Sequence, residues 1–566
     1  MAKARSTDAL FISYFEDIDK WHNDHISAEH EEGGLAGPRT DDASEAEDLT
    51  TSARLLRQAL RIDGHFVDQA RLLSKLRYGT TGEYRRFDSF AFTHLSGSYY
   101  RSLLQGHGFD VDHAQQTDRL SLAELGQRVS PRYILISSSF LSEVSRIHDI
   151  CQRARRIWPD AGIVLGGLVL VELSRSLHPL AMRHLMKAWD ADAYVVSALG
   201  EEPLLEILAH EPSELQNATL PATWVRDEQH GYRLSTERAE IGPPIDETYV
   251  RWTRLDPASL YHTVNLRTAR SCAFNCSFCT FVALQGAHET NRPETLQLEL
   301  EELRANGAVR SLIFTDDTFN VPAPRFKQLC RVLAKFDFSW YSFCRPQHLD
   351  EETVQLMAAS GCKAVFIGLE SADDGMLKRM AKSATCRTAA RGIAYLKKYG
   401  ICCHVNFIIG FPGDVAENTR KIVPFMDDLG VDFFCASPWY SSPTAPIFKQ
   451  TQEYGLEGKF WRWKHNTMDI TRACELEIEL LDTPKNAVFS SEIAQTTFWG
   501  EIMLLSNGFS VDEVRRIAGT YNNVAGREMT SQEFETEPEL LKLKTLLEKT
   551  EFPEPPTVLG VRGVFS

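Results

Sequence analysis

The chain has 566 residues, a formal net charge of -16 and a pI of about 5.6. Its length indicates roughly two to four domains, and its acidic balance argues against nucleic acid or an anionic membrane as a partner. No window approaches the roughly 18 uninterrupted apolar residues of a membrane span, and the N-terminus lacks the pattern of a signal peptide. The 12 cysteines form no disulfide framework of the secreted kind. We therefore expect a cytoplasmic protein.

The first 87 residues are predicted to hold one buried strand and an acidic insertion. Residues 8–14 are apolar enough for a strand. A run rich in Asp and Glu occupies 28–48, and such a run is usually solvated or mobile. We assign no function to it.

Residues 88–210 alternate between short apolar strands and helical segments. The predicted strands are 109–112, 133–138, 163–167 and 192–196. This alternation predicts a doubly wound parallel sheet, in which ligands lie at the carboxyl ends of the strands. Residues 211–261 are predicted to be a mixed linker.

A second α/β series covers residues 262–450. Its predicted strands are 262–267, 311–315, 339–343, 364–369, 404–409 and 433–437. Six strand–helix units predict a partial (β/α)6 barrel, with its chemistry at the C-terminal ends of the strands. Residues 451–566 are predicted to be a helical C-terminal region.

The most specific motif is a cysteine triplet that directly follows the first barrel strand. Cys272, Cys276 and Cys279 have the spacing C-x3-C-x2-C. Three thiolates on one loop can hold three irons of a [4Fe-4S] cluster and leave the fourth iron open to a ligand. The alternatives are a zinc site or three unrelated buried cysteines, and a zinc site needs a fourth ligand, for which only His288 is near. The spacing, with Phe278 before the last cysteine, resembles the signature loop of radical SAM enzymes.

The resemblance implies that the ends of the barrel strands hold S-adenosylmethionine (SAM). The predicted contacts are Asp316, Asp317, Arg345, Glu370 and Gly410. Carboxylates can accept from the SAM amine or ribose, an Arg can fork onto its carboxylate, and a glycine permits close approach of the backbone. The alternative for each residue alone is a polar strand end that caps the next helix.

Residues 262–448 resemble the cobalamin-dependent (class B) radical SAM enzymes, and residues 90–210 resemble their cobalamin-binding domain. The resemblance rests on segments 314–322, 365–371 and 407–413. It implies three cofactors: a [4Fe-4S] cluster, SAM and cobalamin. The corrin cradle would comprise Ser137, Ser138, Ser139, Gly166 and Gly167, for which ordinary tight turns are the alternative. The Asp-x-His-x-x-Gly motif is absent from the sequence, so no His from that motif would bind cobalt.

Within that class, the chain resembles the P-methyltransferases of phosphinothricin-type antibiotic biosynthesis. The resemblance rests on 314–322, 338–343 and 463–468, and it implies transfer of a SAM-derived methyl group through cobalamin to a phosphinate P–H. It also implies an electron donor such as flavodoxin or ferredoxin. Lys464, in an aromatic segment beyond the barrel, is a candidate substrate contact.

Several other functions are compatible with the same motifs. One is tryptophan C2 methylation in peptide antibiotic biosynthesis, and another is a radical SAM reaction without cobalamin. A methylthiotransferase is disfavoured because only Cys151 precedes Cys272. A non-enzymatic iron-sulfur regulatory protein is the remaining alternative.

Overall fold

The computed structural model describes residues 4–13, 57–58, 60–79, 92–115, 119–139, 144–227, 231–239, 241–483, 485–491 and 497–548. The predicted acidic insertion at 28–48 lies outside the described residues. Within those residues, no helix is both long enough and apolar enough to cross a membrane.

The strands, in chain order, are β1 (Arg5–Ser13), β2 (Leu60–Ile62), β3 (His65–Val67), β4 (Val111–Gln115), β5 (Val129–Ser137), β6 (Gly162–Gly166), β7 (Ala193–Val195), β8 (Thr223–Asp227), β9 (Gly231–Leu234), β10 (Thr263–Leu266), β11 (Ala269–Arg270), β12 (Glu289–Thr290), β13 (Ser311–Phe314), β14 (Ser339–Cys344), β15 (Cys362–Glu370), β16 (Cys402–Ile409), β17 (Phe433–Pro438), β18 (Glu457–Lys459), β19 (Arg462–His465), β20 (Met468–Asp469), β21 (Val488–Phe489) and β22 (Glu528–Met529).

The α-helices are α1 (Gln69–Tyr78), α2 (Leu95–Gly106), α3 (Arg119–Arg128), α4 (Val144–Ile157), α5 (Leu168–Ser176), α6 (Pro179–Trp189), α7 (Glu201–Leu208), α8 (Phe281–Gln285), α9 (Pro293–Asn306), α10 (Ala323–Leu333), α11 (Glu351–Ala359), α12 (Asp374–Arg379), α13 (Cys386–Lys398), α14 (Ala416–Arg420), α15 (Ile422–Leu429), α16 (Thr451–Tyr454), α17 (Ile470–Asp482), α18 (Phe498–Ser506), α19 (Val511–Val524), α20 (Ser531–Thr536) and α21 (Pro538–Glu548).

The N-terminal sheet has the strand order β4-β1-β5-β6-β7-β8-β9. The first five strands are parallel, and β8 and β9 add an antiparallel edge. The sheet differs from the predicted boundaries in two places, because β1 lies in it ahead of residue 88 and β8 and β9 lie within the predicted linker. The apolar run of β1 is buried, but the sequence did not reveal that its pairing partners are β4 and β5.

The second sheet is a parallel partial barrel with the strand order β10-β13-β14-β15-β16-β17-β21. The six predicted strands are present, and β21 pairs with β17 as a seventh. Apolar side chains on one face of these strands pack against the surrounding helices. On the other face, Phe343 and Phe366 pack against Phe498 of α18, with ring centroids 5.9 and 5.5 Å apart.

The C-terminal region contains strands as well as helices, so the prediction of a helical region is incomplete. Strands β18, β19 and β20 form a small antiparallel sheet. Strand β22 pairs with β2, and α1 lies in the same apolar cluster as α21. Strand β2 and helix α1 therefore pack with β22 and α21 of the C-terminal region.

Candidate cofactor site between the two sheets

The cysteine loop lies at the C-terminal end of the first barrel strand, as predicted. Cys276 is buried, whereas Cys272 and Cys279 are partly exposed. The Cys276 sulfur accepts from Arg345 Nη2 at 2.9 Å, and the Cys279 sulfur accepts from the Phe281 N–H at 3.4 Å. The Cys276 sulfur is therefore held by the loop after β14, and the Cys279 sulfur is held by the first residue of α8.

The Cys279 thiol is affected electrostatically by its surroundings. Burial raises the pKa of the Cys279 thiol to about 11, and Asp317, Cys276 and Cys272 also raise it. Among the described residues, no three His, Cys, Asp or Glu side chains converge with the geometry of a metal site. The donor set nevertheless fits a cluster, since three sulfurs share one loop and Arg345 donates to one of them, which offsets thiolate charge.

The acidic pair after β13 divides into two different environments. Asp316 is buried and accepts from the Thr268 N–H at 2.9 Å, so it fixes the loop before the cysteines. Burial raises its pKa to about 6. Asp317 is exposed as a residue. Desolvation of its carboxyl group by the surrounding protein, together with the nearby charge of Asp316, raises its pKa to about 7. Asp317 is therefore the member of the pair that can reach a ligand.

Arg345 is engaged within the protein. It is 5 % exposed, donates from Nη1 to the Lys382 carbonyl at 2.7 Å, and has Cys276 as its other partner. Its guanidinium carbon lies 3.7 Å from the centroid of the Phe274 ring. These contacts hold the cysteine loop, and the predicted fork onto the SAM carboxylate would have to replace them.

Glu370 ends β15 in an unusual backbone conformation. Its φ is 77°, a left-handed value that a non-glycine residue rarely adopts. Its carboxylate accepts from Lys382 Nζ at 2.8 Å and from Asn406 Nδ2 at 3.1 Å. Lys382 is itself buried, and its Nζ lies 5.6 Å from the centroid of the Phe278 ring. Lys382 could not be recognised from the sequence, because a lysine in a short loop has no distinguishing local pattern.

The hydrogen bonds of Glu370 continue into the barrel interior. Cys435 donates to Asn406 Oδ1 at 2.8 Å and lies 3.2 Å from His404 Nε2. His404 Nδ1 is 2.8 Å from Glu501 of α18. A continuous polar chain thus joins the predicted SAM site to a C-terminal helix.

Gly410 occupies a position that only glycine fits. Its φ is 78°, and a Cβ there would lie 2.5 Å from Trp463 and 3.1 Å from Met468. Its carbonyl oxygen is 3.0 Å from His465 Nε2. The C-terminal sheet therefore approaches Gly410 closely, and the predicted SAM contact of this glycine stays a prediction.

The predicted corrin cradle lies at the carboxyl end of the N-terminal sheet, against a cavity of about 180 Å³ that opens to solvent. Ser137, Ser139, Gly166 and Gly167 line it. Ser138 is fully buried, and its hydroxyl accepts from the Leu170 N–H of α5 at 3.3 Å. This contact is the kind expected of an ordinary tight turn before a helix. A Cβ on Gly167 would lie 2.7 Å from the Ser138 nitrogen, so glycine is needed to keep this wall open.

The opposite wall of the cavity includes Arg267, which follows the first barrel strand, and Gln285, which ends the helix after the cysteine loop. Arg270, two residues before Cys272, donates to Glu201 of the N-terminal domain at 3.3 Å. Glu172 hydrogen-bonds Ser442 across the same boundary. The carboxyl end of the N-terminal sheet and two residues on either side of the cysteine loop therefore line one interdomain cavity.

The contacts of His113 are with residues near the N-terminal sheet. Its Nε2 is 2.6 Å from the Ser13 hydroxyl, and burial lowers its pKa to about 3. A Cβ on Gly97 would lie 2.0 Å from this ring, which shows how tightly the imidazole packs on α2. His113 is thus a packed, neutral histidine.

Residues 266–426 match the radical SAM superfamily model, so the central barrel is a radical SAM domain. An uncharacterized methyltransferase of Pyrococcus horikoshii is 28% identical over 169 residues, which are 29% of this chain and 37% of that protein. The ribosomal protein uS12 methylthiotransferase RimO of Heliobacterium modesticaldum is 25% identical over 255 residues, 42% of this chain and 54% of that protein. The chain thus matches only about a third to a half of the length of these relatives.

Solved structures extend the similarity beyond the barrel. The radical SAM methyltransferase TsrM of Kitasatospora setae, with cobalamin and a [4Fe-4S] cluster bound, matches with a TM-score of 0.55 and 18% identity over 76% of this chain and 96% of that chain. TsrM with tryptophan and a SAM analog matches with a TM-score of 0.50 and 21% identity, over 63% and 73% of the two chains. The predicted fold class is confirmed.

Proposed function

We propose that this chain is a cobalamin-dependent radical SAM methyltransferase. The observation that carries the proposal is the interdomain cavity, which has the cradle glycine Gly167 on one wall and Arg267 and Gln285 of the radical SAM domain on the other. A group bound there would lie between the carboxyl ends of both sheets, where open α/β sheets and barrels bind their ligands. The fold that the chain shares with TsrM supports the same conclusion.

The proposed residue roles follow from these positions. Cys272, Cys276 and Cys279 would hold the [4Fe-4S] cluster, and Asp317 and Glu370 would face SAM. Ser137, Ser139, Gly166 and Gly167 would support the corrin. When bound, the cluster supplies electrons to SAM and cobalamin carries the methyl group. An external donor such as flavodoxin or ferredoxin would reduce the cluster, and the cluster's need for reducing conditions is the reason for expecting a cytoplasmic enzyme.

The favoured methyl acceptor is a small phosphinate with a P–H bond, supported by the sequence resemblance in 314–322 and 338–343. Lys464 does not support it, because its Nζ pairs with Glu457 at 3.0 Å on an exposed hairpin. Any cationic contact to a phosphinate would therefore come from another residue.

Tryptophan is the second candidate acceptor, and a different observation favours it. Tyr440 and Trp461 are 41 % and 46 % exposed, and their ring centroids lie 5.2 Å apart. Tyr440 is two residues from Ser442, which contacts Glu172 at the domain boundary. An indole could stack on these rings near the open side of the site.

Methylthiotransferase activity is the main competing class, since RimO is among the relatives. An additional cluster would need further cysteine ligands ahead of the triplet. The only cysteine there, Cys151, is 1 % exposed within the apolar core of the N-terminal domain, and burial raises its pKa to about 12. The N-terminal domain therefore favours cobalamin over a second cluster.

Anaerobic reconstitution with iron, sulfide and hydroxocobalamin tests the proposal directly. We expect both a cluster absorption band and a stoichiometric corrin band after gel filtration. Replacing any of Cys272, Cys276 or Cys279 with Ala should remove the cluster, whereas Cys386→Ala, at a half-buried cysteine outside the loop, should not. A cluster without bound corrin would reject the cobalamin assignment.

Deuterated-methyl SAM then tests the reaction and its acceptor. Label should appear in the product, and S-adenosylhomocysteine should accumulate with turnover. A P–H acceptor should also give 5′-deoxyadenosine, whereas tryptophan methylation without it would support the second candidate.

A further inference from the structure

Glu201 is a buried carboxylate with one oxygen satisfied and one not. It begins α7 directly after Gly200, is 4 % exposed, and lines the interdomain cavity. Its Oε1 accepts from the Tyr99 hydroxyl at 3.0 Å and from Arg270 Nη2 at 3.3 Å. Its Oε2 has no hydrogen-bond partner among the described residues. A buried carboxylate oxygen without a donor is costly, so a missing donor is expected at this position.

The chemistry of the cavity restricts what that donor can be. Among the residues that the structure describes, Glu201 is the only acidic one that lines the cavity; the rest of the described wall is apolar, hydroxyl-bearing or glycine, apart from Arg267 and Gln285. An anionic group on a ligand would be repelled by the carboxylate, and an ester or ether would offer no hydrogen. A neutral ligand with N–H groups satisfies Oε2 without adding charge.

The corrin ring of cobalamin carries primary amide side chains around its edge. We propose that Glu201 Oε2 accepts a hydrogen bond from one of these amide N–H groups. This inference rests on the proposed function, since it names a recognition contact within the same cavity. Because Oε1 of the same carboxylate binds Arg270, Glu201 touches the corrin on one side and the segment that leads into the cysteine loop on the other.

The substitution Glu201→Gln isolates this contact. Tyr99 and Arg270 both donate to the side chain, so the amide oxygen of the substituted side chain should stay on their side and its NH2 group should face the cavity. Two N–H donors would then meet where the proposal requires a donor and an acceptor. The control is Glu202→Gln, because the next residue binds Arg238 and the Ile241 N–H instead and does not line the cavity.

The measurement compares two corrinoids without the nucleotide tail by fluorescence titration of the cluster-free protein. Dicyanocobinamide carries amide N–H groups, and the heptamethyl ester of dicyanocobyrinic acid carries none. The wild type and Glu202→Gln should prefer the amide ligand, and Glu201→Gln should lose about tenfold or more of that preference. For each protein we compare the ratio of the dissociation constants of the two corrinoids, because the contributions of the other amide groups are the same in every variant and cancel.

Three outcomes overturn the inference or the function. An unchanged preference in Glu201→Gln overturns the inference alone, whereas no binding of either corrinoid by the wild type overturns the proposed function with it. If Glu201→Gln fails to fold, Glu201→Asp carries the comparison, since it keeps the charge but withdraws the carboxylate from the cavity. The same loss of amide preference is then expected, and its absence rejects the contact.

Discussion

At the residue scale, Arg345 is the contact through which the barrel acts on the cysteine loop. Its guanidinium joins the Cys276 sulfur to the Lys382 carbonyl, and Lys382 in turn pairs with Glu370. Burial removes competing water from all of these groups. Arg345 is therefore expected to tune the cluster, because hydrogen bonds to cluster sulfurs stabilise the reduced, more negative state.

Arg345→Lys should lower the reduction potential of the reconstituted cluster by about 50 mV, through loss of a charge-assisted hydrogen bond. Potentiometric titration followed by electron paramagnetic resonance measures the shift. Arg331→Lys serves as the control, because Arg331 is exposed on α10, away from the loop. An unchanged potential in Arg345→Lys would show that the hydrogen bond to Cys276 is not retained in the loaded protein.

Glu299 offers a pH-dependent test of a different buried carboxyl group. It accepts from Trp252 Nε1 at 3.0 Å, and burial raises its pKa to about 7. Because the folded state holds this proton more tightly than the unfolded state, stability is lost as pH rises from about 4.5 to about 7, by up to about 3 kcal/mol.

Glu299→Gln removes that titration while keeping a carbonyl acceptor for Trp252. The melting temperature of the variant, relative to wild type, should therefore rise between pH 5 and pH 8. Glu294→Gln, at the exposed start of the same helix, should show no such rise, since its carboxylate is in water in both states. A constant difference across this pH range in Glu299→Gln would refute the assignment.

At the element scale, the turn after β16 is where the C-terminal sheet docks on the barrel. Trp463 of β19 packs over Gly410 and donates from Nε1 to the Trp439 carbonyl at 2.8 Å. His465 stacks on Trp463 with ring centroids 5.2 Å apart. The alternation of buried and exposed residues along β19 is the reason that Trp463 and His465 face inward while Lys464 faces solvent.

Gly410→Ala should destabilise the protein by several kcal/mol, since a Cβ adds a steric clash to a left-handed backbone. Gly400→Ala is the matched control: its φ is 72°, and a Cβ there would meet nothing within 4 Å. The control should lose only about 1 kcal/mol. Denaturant unfolding measures the free energy of unfolding of both variants. Equal decreases in the two would mean that Trp463 moves aside without destabilising the protein.

At the scale of the whole molecule, helix α1 and the C-terminal helices pack against each other although they lie far apart in the sequence. Helix α1, from the segment between β1 and α2, packs in one apolar cluster with α19 and α21. The same cluster covers the inner face of the barrel strands. A destabilising substitution in α21 should therefore lower the stability of the barrel as well as that of the helix itself.

Adjacent leucines on α21 make this testable. Leu540 is fully buried and Leu541 is 45 % exposed. Leu540→Asp should cost several kcal/mol, because it buries a carboxylate without a partner, whereas Leu541→Asp should be nearly neutral. Thermal unfolding followed by near-ultraviolet circular dichroism reports on the whole core, and equal melting temperatures would contradict the packing of α21.

Much of the fold could be predicted because it is encoded locally. Each of the six barrel strands is a short run rich in apolar residues, and the helices between them fix a parallel order. Strand β21 could not be found in this way, since it has two residues and acquires its identity only by pairing with β17. The strand β1 was predicted, but its place in the sheet was not, because long-range pairing leaves no local pattern.

In the candidate site, too, some features are encoded locally and others depend on long-range packing. The sequence by itself determined the cysteine loop and the polar strand ends, because covalent spacing and strand periodicity bring those residues to one edge of the barrel. Only the tertiary structure decided which of them are already engaged: Asp316 with Thr268, Arg345 with Cys276, and Gly410 against Trp463. It also brought Glu201 to the cavity from another domain. Hydrogen-bond partners depend on where distant segments pack, and that information becomes definite only in the folded chain.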